Sequence, residues 1–203
     1  GKLSAKVAPR HSKVLFARLN DAEFFYKEDL KKPLEECVPR LKEAVFITGL
    51  GTMYEKMERL KMLAASSAGM FGLTDTSKLQ LAAYLCKADL MTNMVGEKEY
   101  AGLRGFMGGV YLKKQGADED VWKAVAEHYQ PVMAGDRLPE TETGTILSVL
   151  DKADNLTGFF IAGYKPTGSK DPCAVRRQAM NLIYMILEKR LYIDLSLLVY
   201  ESA

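Results

Sequence analysis

The chain has 203 residues, 48% of them hydrophobic, with 28 basic against 26 acidic residues and a formal charge of +2. That is enough for one substantial core, so one domain is expected, and the near balance of charge excludes a polycation that coats nucleic acid; an RNA-binding surface has to be local. Cys37, Cys86 and Cys173 lack nearby Cys or His partners, which excludes a disulfide framework or zinc site and fits a reducing cytoplasm, while Lys and Glu interrupt every apolar stretch before it could span a bilayer.

The opening Gly1 and Lys2-Leu3-Ser4-Ala5-Lys6 read as mid-protein text, so an excised piece without a secretory leader is expected. A first stretch to about Leu30 carries Phe16, Leu19, Phe24 and Phe25. Pro33 then opens a helix with Leu34, Val38, Leu41 and Val45 at helical spacing, which Pro39 bends or splits. Gly49-Leu50-Gly51 breaks the chain, and Thr52 with Glu55 forms a reciprocal cap for a helix to about Met70. On it Met53, Met57, Leu60, Leu63 and Ala64 face inward, and Lys56, Arg59 and Lys61 fall largely on another face. A second long helix, from Thr74 or Asp75 to Val95, turns Leu79, Ala82, Ala83, Leu85, Cys86 and Leu90 inward.

Glycines from Gly96 to Gly116 permit close packing around Tyr111 and a short helix. Asp118 caps a helix through Trp122, Val125 and Tyr129, ended by Pro131, and a long buried helix runs from Ile146 to Ile161 after Pro139. Beyond the turn-rich Lys165-Pro166-Thr167-Gly168-Ser169-Lys170-Asp171-Pro172, a helix turns Val175, Ala179, Leu182, Ile183, Ile186 and Leu187 inward and leaves Arg176, Arg177, Lys189 and Arg190 to solvent. A final apolar helix starts near Asp194. The pattern is all-α.

Asp151 and Asp154 lie three residues apart on one helix face, interrupted by Lys152. Acid/base chemistry there needs one raised pKa and a nearby partner, so polar anchoring inside a bundle is the preferred reading. Of the two histidines, His11 is peripheral, and His128, at a helix end, suits the helix dipole and a terminal carbonyl better than a metal site, which needs several convergent ligands. No Ser or Cys stands in a nucleophile elbow. Thr167-Gly168-Ser169-Lys170 lacks the earlier glycine of a phosphate loop and is followed by Asp171-Pro172, which argues against an NTP site. Lys165, Lys170, Arg176 and Arg177 together are instead suited to gripping RNA phosphates, against the default of a solvated basic face.

From Asp21-Ala22-Glu23-Phe24-Phe25 to the last helices the text resembles the β subunit of bacterial heterotetrameric glycyl-tRNA synthetase. The phrases that carry this are Leu50-Gly51-Thr52 with Lys56 and Arg59, Lys87 through Val95, Gly105-Phe106-Met107-Gly108, Tyr129-Gln130-Pro131, Ala134-Gly135-Asp136, and Lys165 through Pro172 leading to Arg176-Arg177. The resemblance implies an HD-domain-like helical bundle over residues 21–203, with 1–20 as a lead-in from a preceding domain. The HD pattern of metal-dependent phosphohydrolases needs a His, a His-Asp pair and a distant Asp. Here Cys86-Lys87-Ala88-Asp89 stands where the pair belongs, and Asp151, with Asp154 nearby, is what remains of the last ligand: a degenerate metal site of Lys87, Asp89, Asp151 and Asp154. An ammonium at Lys87 in the metal's old place requires Lys87 beside Asp151, and a wide separation would end the idea.

The resemblance further implies glycyl-tRNA aminoacylation by the whole enzyme, with ATP and Mg used in its α subunit and no cofactor or metal in this piece. The implied partners are tRNA(Gly), the α subunit and other β-subunit domains, in the cytoplasm and without a membrane. No class II synthetase motif occurs in the chain, so the implied work is binding: tRNA contacts by Lys165, Lys170, Arg176 and Arg177, with Lys56 and Arg59 behind them, or docking between subunits. A residual nucleotide phosphohydrolase and a structural spacer are the alternatives.

Overall fold

The computed structural model describes residues 8–167 and 170–203, with side chains from residue 12 onward. The opening residues, His11's side chain and the Gly168-Ser169 part of the phosphate-loop-like turn lie outside what is described. Among the described residues the fold is all-helical, with α1 (Ala8–Asp29), α2 (Met53–Ser66), α3 (Ser77–Leu85), α4 (Asn93–Gly96), α5 (Phe106–Lys114), α6 (Glu119–Glu127), α7 (Glu142–Ile161), α8 (Val175–Glu188) and α9 (Leu195–Glu201), and short 3₁₀ segments between them. The only extended pairing described is one antiparallel bridge, Val45 to Thr52.

Local chemistry places most boundaries. Thr52 accepts the Glu55 backbone N–H at 3.3 Å while the Glu55 carboxylate accepts the Thr52 N–H at 2.6 Å, a complete capping box that starts α2. Asp118, Thr141 and Asp194 cap α6, α7 and α9 through side-chain oxygens. α7 is the axis: from Gly144 to Asp154 it is buried without interruption, walled by α2, α3, α6 and α8. Gly109 lets α5 lie against α6, because a Cβ there would stand 2.6 Å from Ala126 Cβ and 2.7 Å from the Trp122 carbonyl oxygen.

Several sequence expectations are corrected. Pro39 does not split its element: Leu34–Glu43 is one continuous 3₁₀ segment with Pro39 inside it. Val45, expected inside, is 69% exposed, since the chain has already turned into the bridge with Thr52. α2 stops at Ser66 and continues as 3₁₀ to Phe71. The expected 75–95 helix is three pieces, α3, a 3₁₀ turn over Ala88–Met91, and α4. The break has a local and a distant part: the Thr92 hydroxyl donates to the Asp89 carbonyl at 2.7 Å and caps α4, and the Asp89 carboxylate is engaged by the backbone of another segment. On α8, Ile183 and Leu187 are exposed, and Asn181 and Met185 take the inward face with Leu182.

Candidate functional site

The buried middle of α7 holds a cluster of opposite charges. Lys56 of α2 places Nζ 2.7 Å from Asp154 Oδ2, 3.1 Å from Asp151 Oδ1 and 2.8 Å from Asn155 Oδ1. Arg59, one turn on, donates through Nε to Asp154 Oδ1 at 2.6 Å. From the far side Lys87, just past α3, places Nζ 2.9 Å from Asp151 Oδ1. The Lys56, Lys87, Asp151 and Asp154 side chains are at most 3% exposed, and Arg59 reaches out to 31%. The cluster is closed by cation–π contacts, Lys87 Nζ at 4.0 Å from the Tyr129 ring centroid and Lys56 Nζ at 4.8 Å from that of Phe46.

Burial alone would raise the Asp151 pKa, but the Lys56 and Lys87 ammonium ions outweigh it and hold the carboxyl far below the usual range. Asp151 is therefore a fixed anion and not a proton donor at neutral pH. Lys152 turns the other way: Nζ meets only neutral oxygens, Gln130 O at 2.9 Å, Tyr129 O at 3.4 Å and Ser148 Oγ at 2.8 Å. Burial, reinforced by the Lys87 charge and opposed by Asp151, brings its pKa down to about 8. Asp89 is wholly buried and accepts the Gly105 and Gly108 N–H groups at 2.5 and 3.1 Å; burial nevertheless lifts it to about 6. It ties the α5 entry to the 3₁₀ turn, apart from the Asp151–Asp154 ion pairs. His128 is buried with Nδ1 2.7 Å from the Val125 carbonyl, so the terminal-carbonyl role holds, but burial depresses its pKa and keeps the ring neutral, which removes the helix-dipole role.

The structure thus separates the candidate residues into two groups. Lys56, expected on a face other than the inward one, is corrected to a buried partner of two aspartates. It stands four residues before Leu60 and seven before Leu63, so a core position was readable from its register on the helical stripe. Lys165, Lys170, Arg176 and Arg177 are exposed around the start of α8. Asp171, the nearest acid in sequence, accepts the Arg176 and Arg177 backbone N–H groups at 2.9 and 3.4 Å, and the Arg176 guanidinium donates to the Thr167 carbonyl at 2.6 Å. No ion pair engages these four cations among the described residues.

Between the charge cluster and the α8 start lies a cleft of about 680 Å³. Lys56, Lys87 and Lys152 line it from within, Arg104 and Arg177 from the exposed edge, and Asp151 is the one carboxylate in its wall among the described residues. Arg104, on the loop before α5, carries its guanidinium 5.5 Å from the Tyr129 ring centroid. Nothing in the glycine-rich sequence around it marks it as a site residue, because its place depends on where α5 docks.

The family model described as glycyl-tRNA synthetase beta subunit matches residues 2–203. Among curated proteins, the glycine–tRNA ligase beta subunit of Syntrophomonas wolfei is 48% identical over 95% of this chain and 28% of its own length. Those of Clostridioides difficile and Aquifex aeolicus are each 46% identical, over 95% and 96% of this chain and 28% and 29% of their own lengths. The chain therefore spans less than a third of the length of these relatives.

Proposed function

The chain belongs to the glycyl-tRNA synthetase β-subunit family, and on that premise we propose that it serves a glycine–tRNA ligase as a non-catalytic tRNA-binding module. The observation that carries this reading is the group Lys165, Lys170, Arg176 and Arg177, exposed together with no ion pair to engage them among the described residues, while Asp171 is occupied by backbone amides. Guanidinium forks and lysines so placed match phosphate oxygens. tRNA(Gly) and the α subunit are the partners in this reading. ATP and Mg belong to aminoacylation by the whole enzyme, in the cytoplasm, and reside outside this chain. Among the described residues no helix is long and apolar enough to cross a membrane.

The scaffold in this proposal is an HD-like bundle over 21–203, joined to a 1–20 lead-in by the single helix α1. Its old metal site is read as erased. The donors do not fit a divalent ion: Asp151 and Asp154 are already bracketed by two ammonium ions and a guanidinium, which repel a metal, and Asp89 faces backbone amides. Lys87 and Lys56 supply the positive charge in its stead. A docking role alongside RNA binding is favoured by the α1 surface, where Val14, Leu15, Phe16, Leu19 and Phe24 are all exposed.

The test is binding to glycine tRNA and to a non-cognate tRNA across a salt series, with Arg176→Ala/Arg177→Ala alongside. Affinity should fall steeply with salt, and the double variant should flatten the log–log slope by about one unit per lost phosphate contact. An unchanged slope would remove these arginines from the interface.

A further inference from the structure

The cleft beneath the α8 start has a charge balance that the cluster around Asp151 does not explain. Lys56 and Lys87 share one oxygen of Asp151, at 3.1 and 2.9 Å, and Lys56 is paired besides with Asp154 at 2.7 Å. Lys152 has only carbonyl and hydroxyl oxygens about it. Arg104 and Arg177 stand exposed at the edge with no carboxylate paired to either among the described residues. Five cationic side chains thus line a concave space against two carboxylates, Asp151 in its wall and Asp154 behind Lys56, and low-dielectric walls concentrate the field of the surplus. Aromatic rings stand among these cations, Tyr129 beside Lys87 and Arg104 and Phe46 beside Lys56. Phe46 and Phe159 stack with centroids 5.9 Å apart and line the cleft together with Tyr129.

We propose that this cleft binds a single unpaired nucleotide, with its phosphate held by Arg104 and Arg177 at the edge and its base against the Phe46–Phe159 wall. Phosphate oxygens accept from guanidinium forks, and aromatic faces hold a base without demanding a sequence, the combination by which single strands are bound. The volume, about 680 Å³, lies within the range of small-ligand sites, and a stacked duplex cannot enter it. The reading deepens the RNA-binding proposal and rests on it for the biological source of the nucleotide. The chemistry is shared by a free mononucleotide and by the unpaired end or loop of an RNA strand.

The experiment titrates the protein at low salt with AMP, adenosine, a single-stranded adenylate pentamer and a blunt RNA duplex, comparing the wild type with Arg104→Gln and with Lys165→Gln/Lys170→Gln. Arg104→Gln alters a solvent-exposed side chain outside the core, and an unchanged melting temperature confirms an intact fold. The pentamer should bind, and Arg104→Gln should weaken it on the order of 10-fold, the loss expected for a charge-assisted contact. Lys165→Gln/Lys170→Gln should leave the pentamer largely unaffected and weaken tRNA. Binding of AMP but not adenosine, sensitive to Arg104→Gln, supports the site with a free nucleotide as its occupant; the same sensitivity for the pentamer alone assigns it to an RNA strand. Failure of both to bind, equal binding of adenosine, or indifference to Arg104→Gln overturns the proposal. If Lys165→Gln/Lys170→Gln weakens tRNA while Arg104→Gln changes nothing, the outer loop is the RNA contact and only the cleft is refuted.

Discussion

At the scale of single residues, the distinguishing feature is that Asp151 serves two lysines at once. Asp151→Asn leaves Lys87 as a buried charge with no counter-ion, which should lower stability by about 3–5 kcal/mol in denaturant unfolding. Adding Lys87→Met removes the stranded charge, so the double variant should be more stable than Asp151→Asn alone; equal or lower stability would show that the pair is not coupled as the distances imply. Lys152 predicts a pH dependence. Its folded pKa, about 8, lies below the 10.5 of a free lysine, so between those values the unfolded chain binds more protons and stability from this group rises with pH. Lys152→Met should abolish that rise, seen by comparing unfolding free energies at pH 8 and pH 10 with those of the wild type.

At the scale of elements, the packing of α5 on α6 depends on one missing Cβ. Gly109→Ala drives a methyl group against Ala126 and the Trp122 carbonyl, and the backbone cannot give way as a side-chain tip can. The expected loss is about 1–3 kcal/mol, read as a lower melting temperature. Gly102→Ala, where a Cβ meets nothing within 4 Å, is the control and should change little. The helix starts were legible because caps are local: Thr52 with Glu55, Asp118 and Asp194 lie within a turn of the amides they serve. The break at Ala88–Met91 was not, because Asp89 takes its amide partners from Gly105 and Gly108, which no window around Asp89 contains. Likewise the inward face of α8 shifted to Asn181 and Met185 once the Asn181 amide found the Pro131 carbonyl at 3.0 Å.

At the scale of the whole molecule, α1 has more apolar surface exposed than burial in this chain accounts for. Phe16→Ser and Leu19→Ser remove side chains that are 66% and 64% exposed, so they should leave the melting temperature within about 1 °C of wild type while weakening association with the other parts of the enzyme. Retained association, measured by co-purification of the assembled enzyme, would show that this face is not a docking surface.

The all-helical class, most helix starts and the family followed from sequence alone, because helical periodicity, side-chain caps and ordered phrases of sequence are all properties of neighbouring residues. The resemblance implied that Lys87 stands beside Asp151, and the two are 2.9 Å apart. What only the tertiary structure decided was the surroundings of each charge: Lys56 drawn inside by Asp154 across 98 residues, Lys152 held among carbonyls with its pKa brought down to about 8, Arg104 carried to the edge of a cleft. A side chain's charge is written in its sequence letter. The work that charge can do is set by its dielectric surroundings and its counter-ions, and both are supplied by segments far away along the chain.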